Sequence, residues 1–151
     1  MQKAYPIKQD ALNNDMVTIC DLMPTILDLT GIKPPASYKI DGQDLKEDLQ
    51  GTATAATRSF LMHFPHPHRS SDFSTYFEGD WKITYHYKRQ KGKQIELFNL
   101  KTDPSESNNL SKSKPERSDQ MLNSMIEALD DSNAQYAKHP KTGKVMRPVK
   151  S

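Results

Sequence analysis

From Trp81 to Tyr87 the chain alternates Trp81, Ile83, Tyr85 and Tyr87 with Lys82, Thr84 and His86, the period of a half-buried strand. Gly79-Asp80 separates this run from an earlier one, and Gly at the first central position of a two-residue loop suits a type II′ hairpin turn. A second hairpin is expected across Lys88 to Lys93, with Gly92 as the residue most tolerant of positive φ. Three antiparallel strands then account for Ser74 to Leu100. Arg58 to Phe64 adds a fourth, with Phe60, Met62 and Phe64 on one face, and the loop PHPHRSSD follows it.

The helical period occurs twice. In VTICDLMPTILDLTGIKPP, Asp21 is the expected N-cap, Pro24 lies in the first turn, and Leu22, Ile26 and Leu29 share a face. Gly31 and then Pro34-Pro35 stop this helix after about two to three turns. Met1 to Asp15 reads as an extended lead-in, and Ala36 to Thr57 as a polar connector with one turn of helix near Leu45 to Leu49. After a turn at Asp103-Pro104-Ser105-Glu106, Ser113-Lys114-Pro115-Glu116 has the form of a capping box. Beyond it, Met121, Leu122, Met125, Ile126 and Leu129 form one stripe. From Asp130 the chain turns polar, and residues 131 to 151 read as a loosely attached tail. The fold class is therefore α+β: a small four-stranded antiparallel sheet, a long C-terminal helix packed on it, and a short N-terminal helix.

Composition thins this picture. Of 151 residues, 34% are hydrophobic, below the roughly 45–50% of ordinary globular domains, so the core is small or is completed by a surface outside the chain. With 21 basic and 19 acidic residues, charge makes no general case for nucleic acid or membrane as partner. The basic excess is confined to Lys88–Lys93 and to Lys138–Lys150. No run approaches the roughly 18 apolar residues of a membrane span, and MQKAYPIKQDALNND has no hydrophobic signal core. Cys20, the single cysteine, permits no internal disulfide. It sits among Val17, Ile19 and Leu22 and is expected to be buried and structural.

Candidate chemistry is sparse. His63, His66 and His68 lie within six positions, but a zinc site uses about four ligands and no second pair is visible; His86 and His139 stand apart. No metal site follows. The loop supports two readings: a rim whose His66, His68 and Arg69 contact a polar or anionic substrate, or a solvated loop stiffened by Pro65 and Pro67. There is no Gly-rich phosphate loop and no G-x-S-x-G elbow. Asp103 and Glu106 are spaced as turn formers, not as an acid/base pair.

Four stretches in a fixed order, VTICDLMPTILDLTGI with IDGQDL, the strand with HFPH, EGDWKITYHY, and ELFNLKTDPSESNNL leading into the last helix, resemble the C-terminal part of the sulfatase family of the alkaline-phosphatase-like superfamily. The match covers about residues 16 to 130. It implies a parent hydrolase of sulfate esters, of sulfated carbohydrates in particular, that uses a formylglycine made from a C-x-P-x-R type motif and a Ca²⁺ held by Asp and Asn. It also implies that this machinery lies in an N-terminal α/β domain preceding these stretches. The chain is then a C-terminal subdomain, inactive alone, whose partners are its own catalytic domain and the sulfate ester. No catalytic or metal residue is assigned here. Cys20-Asp21-Leu22-Met23-Pro24 has its proline two places late and no arginine. Ser113-Lys114-Pro115-Glu116-Arg117 fits S-x-P-x-R literally, but it falls at a helix start, far from where the family carries its motif. Two rival readings stand: a stand-alone binding module, and a fragment of a phosphodiesterase or phosphonate hydrolase of the same superfamily. Many relatives are exported, to the periplasm or beyond the cell.

Overall fold

The computed structural model describes residues 7–8, 10, 12–53, 58–66, 72–90, 93–136, 138–139 and 141–149. They fall into two compact units, divided between Ala56 and Thr57.

In the first unit, a 3₁₀ turn at Ile19–Asp21 leads into α1 (Leu22–Thr30), and α2 (Lys46–Gln50) follows the connector. Asp21 is not a side-chain N-cap of α1. Its buried carboxylate instead accepts the Thr18 N–H at 2.7 Å and the Gln43 N–H at 2.7 Å, so it ties the connector to the start of the helix. Thr25 repeats the device one turn on: its hydroxyl donates to the Asp21 carbonyl at 2.6 Å and accepts the Leu45 N–H at 2.9 Å. Gly42 lies so close that a Cβ there would fall on the Cys20 carbonyl, a position only glycine fills. Main chain makes this contact, while the Cys20 side chain is exposed and not buried as expected. The apolar stripe of α1 is likewise open: within this unit Leu22 and Ile26 are 49% and 58% exposed. Gly31, at φ 71°, closes α1 as expected.

The second unit is an antiparallel sheet of β1 (Ser59–Phe64), β2 (Phe73–Glu78), β3 (Trp81–Gln90) and β4 (Lys93–Asn99), in that order, with α3 (Pro115–Asp131). Glu78 pairs with Trp81 around Gly79-Asp80. Gly79 takes a positive φ of 56° and Asp80 does not, the pattern of a type II′ turn. β3 runs farther than the sequence suggests. It continues through Lys88 to Gln90, and its pairing with β4 shifts register between Tyr85 and Gln90; Gly92, the expected turn residue, lies outside the described residues.

Pairing sorts the side chains onto two faces. Leu61, Tyr76, Ile83, Tyr85, Tyr87, Ile95 and Leu97 meet α3, whose Met121, Leu122, Met125 and Leu129 are fully buried. Phe60, Met62 and Phe64 share a face, but it is the other one, and Met62 and Phe64 are each 44% exposed. The expected capping box does not form: α3 starts at Pro115 after Lys114, without a side-chain cap. The residue before a proline is disfavoured in the αR region, and Lys114 lies outside it at φ −130°, ψ 63°. Ser113 donates to the Leu110 carbonyl at 3.3 Å instead.

Between β4 and α3, the Asp103 carboxylate accepts the Ser107 and Asn108 N–H groups at 3.1 and 2.9 Å. Asn109 then serves as a surrogate strand at the open edge of β4. It accepts the Leu97 N–H at 3.0 Å and donates to the Ile95 carbonyl at 3.1 Å, while the Leu110 N–H donates to the Leu97 carbonyl at 2.8 Å. Asn109→Ala strips two backbone groups of β4 of their partners and is expected to lower stability by about 1–3 kcal/mol, read as a shift of the urea midpoint with unchanged slope.

Candidate functional site

Strand alternation splits the histidine cluster. His63 points to the helix face of β1, where its Nδ1 is 2.7 Å from Ser74 Oγ and its Nε2 is 3.0 Å from the Gln135 carbonyl. Ser74 Oγ is in turn 2.8 Å from the Tyr87 hydroxyl. The carbonyl can only accept, so Nε2 donates to it; in the neutral imidazole Nδ1 then accepts from Ser74, whose oxygen accepts from Tyr87. The donors therefore run Tyr87, Ser74, His63, and the series ends on the Gln135 carbonyl as acceptor. Burial, foremost, pushes the Tyr87 hydroxyl up to about 12, with Tyr136 and Tyr85 adding to it and the Ser74 hydrogen bond opposing it; the phenol stays protonated, as the chain requires. Although Ser74 beside His63 has the composition of a nucleophile and its base, Ser74 is fully buried, and the second imidazole nitrogen is bonded to a backbone carbonyl. This arrangement joins three strands to the segment after α3.

His66, just past β1, is exposed, whereas His68 and Arg69 lie outside the described residues. His86 lies on the opposite face of the sheet, 2.9 Å from Glu96, and His139 is in the tail. Among the described residues no group of three or more His, Cys, Asp or Glu side chains could hold a metal ion.

The sequence reading missed Asp72, where the loop re-enters the sheet. It is 2% exposed, its Oδ2 is 2.9 Å from Lys88 Nζ, and its carbonyl accepts the Tyr87 N–H at 2.9 Å. Its Oδ1 is buried without a hydrogen-bond partner among the described residues. A carboxylate just before an aromatic strand start was the available signal. The literal S-x-P-x-R pattern also acquires a physical account. Pro115 sets the first turn of α3, and the Arg117 guanidinium lies 5.4 Å from the Trp81 ring centre and 3.0 Å from Glu78.

The described architecture is a meander sheet with one helix across it and, earlier in the chain, a small helical unit. Residues 1–135 match the family described as N-sulphoglucosamine sulphohydrolase, C-terminal, and the chain belongs to that sulfatase family. It is 30% identical over 136 residues to an uncharacterized sulfatase of Schizosaccharomyces pombe, covering 82% of this chain and 22% of that protein. To arylsulfatase K of Rattus norvegicus it is 33% identical over 132 residues, covering 80% of this chain and 23% of that protein. The chain thus spans under a quarter of the length of these relatives. Among solved structures, BT4656, determined with its substrate D-glucosamine-2-N,6-O-disulfate, superposes with a TM-score of 0.58 at 22% identity, over 75% of this chain and 24% of that one. BT1596, a 2-O GAG sulfatase, gives a TM-score of 0.53 at 26% identity, over 74% of this chain and 23% of that one.

Two outcomes test the buried chain. Ser74→Ala leaves the Tyr87 hydroxyl and His63 Nδ1 without their shared partner and is expected to lower stability by about 1–3 kcal/mol. Because the folded state holds Tyr87 at about 12 against an ordinary 10.0, its contribution is complete below pH 10 and is lost as pH rises through 12. Tyr87→Phe should therefore flatten the fall in denaturation midpoint over that interval; parallel curves for the two proteins would contradict the assignment.

Proposed function

We propose that residues 1–151 act as the C-terminal subdomain of a sulfatase whose parent hydrolyses sulfate esters of sulfated carbohydrates. The observation that carries this reading is the match of residues 1–135 to a sulfatase C-terminal family, together with relatives of about four times the matched length. The nucleophile and the metal belong, in this proposal, to a preceding catalytic domain, with formylglycine and Ca²⁺ as its cofactors. This chain alone is inactive.

The open apolar surfaces support a bracing role. Leu22 and Ile26 on α1, and Met62 and Phe64 on the helix-free face of the sheet, are each between 44% and 58% exposed, large side chains that a neighbouring domain would remove from water. Burying one such side chain contributes about 1.5–3 kcal/mol. The same proposal puts His66, His68 and Arg69 on the substrate rim, with the Asp72–Lys88 ion pair fixing the point where their loop rejoins β2.

Kinetics on the complete enzyme test both parts. Turnover of a sulfate ester in preference to the matching phosphate ester is expected, and the reverse preference would move the protein to the phosphodiesterase branch. Alanine at His66, His68 or Arg69 should raise KM for the sulfated carbohydrate roughly tenfold, by loss of one charge-assisted hydrogen bond. Unchanged kcat/KM for all three would remove them from the rim.

A further inference from the structure

The described residues after α3 form a small folded feature. Lys138 and Val145 form an antiparallel bridge, the His139 N–H donates to the Lys144 carbonyl at 2.8 Å, and Gly143 turns the chain at φ 68°. This small hairpin is fastened to the sheet unit at its return arm. Met146 packs against the core, and Arg147 bonds Asp130 at 2.7 Å while its guanidinium covers the Tyr136 ring at 4.7 Å.

What the hairpin presents is positive charge. From Ser132 onward the sequence has no Asp or Glu, and its basic residues recur every third position: Lys138, Lys141, Lys144, Arg147 and Lys150. Arg147 is occupied by its anchoring contacts. Lys138, Lys141 and Lys144 are exposed, and no carboxylate pairs with any of them among the described residues. Three solvated ammonium groups on a short folded hairpin suit a ligand that carries repeated anionic groups and stays in water.

We propose that this hairpin is a binding site for a sulfated polysaccharide chain, engaging sulfates at a distance from the one being hydrolysed. The choice of polymer rests on the function proposed above. Nucleic acid is less well suited, because proteins that hold single strands add aromatic stacking platforms, and the exposed described residues here are lysine, histidine, threonine, glycine and valine, with no Trp, Tyr or Phe among them. An interfacial membrane site would present Trp, Phe or Leu beside the cations, which the hairpin lacks.

The test compares the whole chain with two triple variants of equal charge change, Lys138/Lys141/Lys144→Gln and Lys33/Lys39/Lys112→Gln, the latter at exposed positions elsewhere. Binding to chondroitin sulfate is titrated across salt concentrations, with double-stranded DNA at equal charge concentration as the competing polyanion. The hairpin variant should lose roughly tenfold or more in affinity and bind with a shallower salt dependence, as fewer counterions are released. The other triple should change less than twofold, and Lys138/Lys141/Lys144→Arg should restore binding. Equal losses in the two Gln triples, or DNA binding as tight and as dependent on the hairpin, would overturn the proposal. In the complete enzyme, the hairpin variant should raise KM for the sulfated polymer and leave kcat/KM for a monosaccharide sulfate unchanged. Failure of the enzyme to hydrolyse any sulfate ester would sink the proposed function, yet the binding titration would still decide this site.

Discussion

Met121, Leu122, Met125 and Leu129 on α3 are withdrawn completely from water against Ile83, Tyr85, Tyr87 and Leu97. That contact is the sheet unit's main source of hydrophobic stabilisation, each such side chain contributing about 1.5–3 kcal/mol. Its geometry constrains the rest. To lay the helix across the sheet, the chain must leave β4 at the sheet's edge and cross to the other end of a helix without leaving backbone groups unpaired. Asp103 and Asn109 meet that requirement with side-chain carbonyl and carboxylate oxygens, and Asn109 also closes the exposed edge of β4.

The helix face also admits a polar line. Ser74, His63 and Tyr87 hold inward positions, and each would cost free energy if left unsatisfied there. Linked in series and terminated on the Gln135 carbonyl, they become a tie between β1, β2, β3 and the residues after α3. The same segment is held from the other side by Arg147, Asp130 and Tyr136. The basic hairpin is thereby kept as a folded feature of the sheet unit.

Both units keep large apolar side chains in contact with solvent while the whole chain is only 34% hydrophobic. A small core and uncovered Leu22, Ile26, Met62 and Phe64 fit the proposed bracing role, in which a neighbouring domain would remove these side chains from water. The chain spans under a quarter of the length of the relatives it matches.

Period and turn chemistry alone determined much of this molecule. The alternation in β3, glycine in the Gly79-Asp80 turn, the amphipathic stripe of α3 and the α+β class are all local consequences of side-chain spacing, so they are legible before any contact is known. Tertiary structure decided what spacing cannot. Alternation shows that Phe60, Met62 and Phe64 share a face, but strand pairing put that face away from the helix. Composition suggested a buried Cys20, yet the close approach at Gly42 is made by its carbonyl. Asp21 and Ser113 look like caps in one dimension; their partners, Gln43 for the one and Leu110 in place of the helix for the other, were set by a folded connector and by the restriction that Pro115 places on Lys114. His63 and His66 are three residues apart in sequence, and the end of β1 sends one into a hydrogen-bonded interior and the other into solvent, because a strand fixes direction and a loop does not.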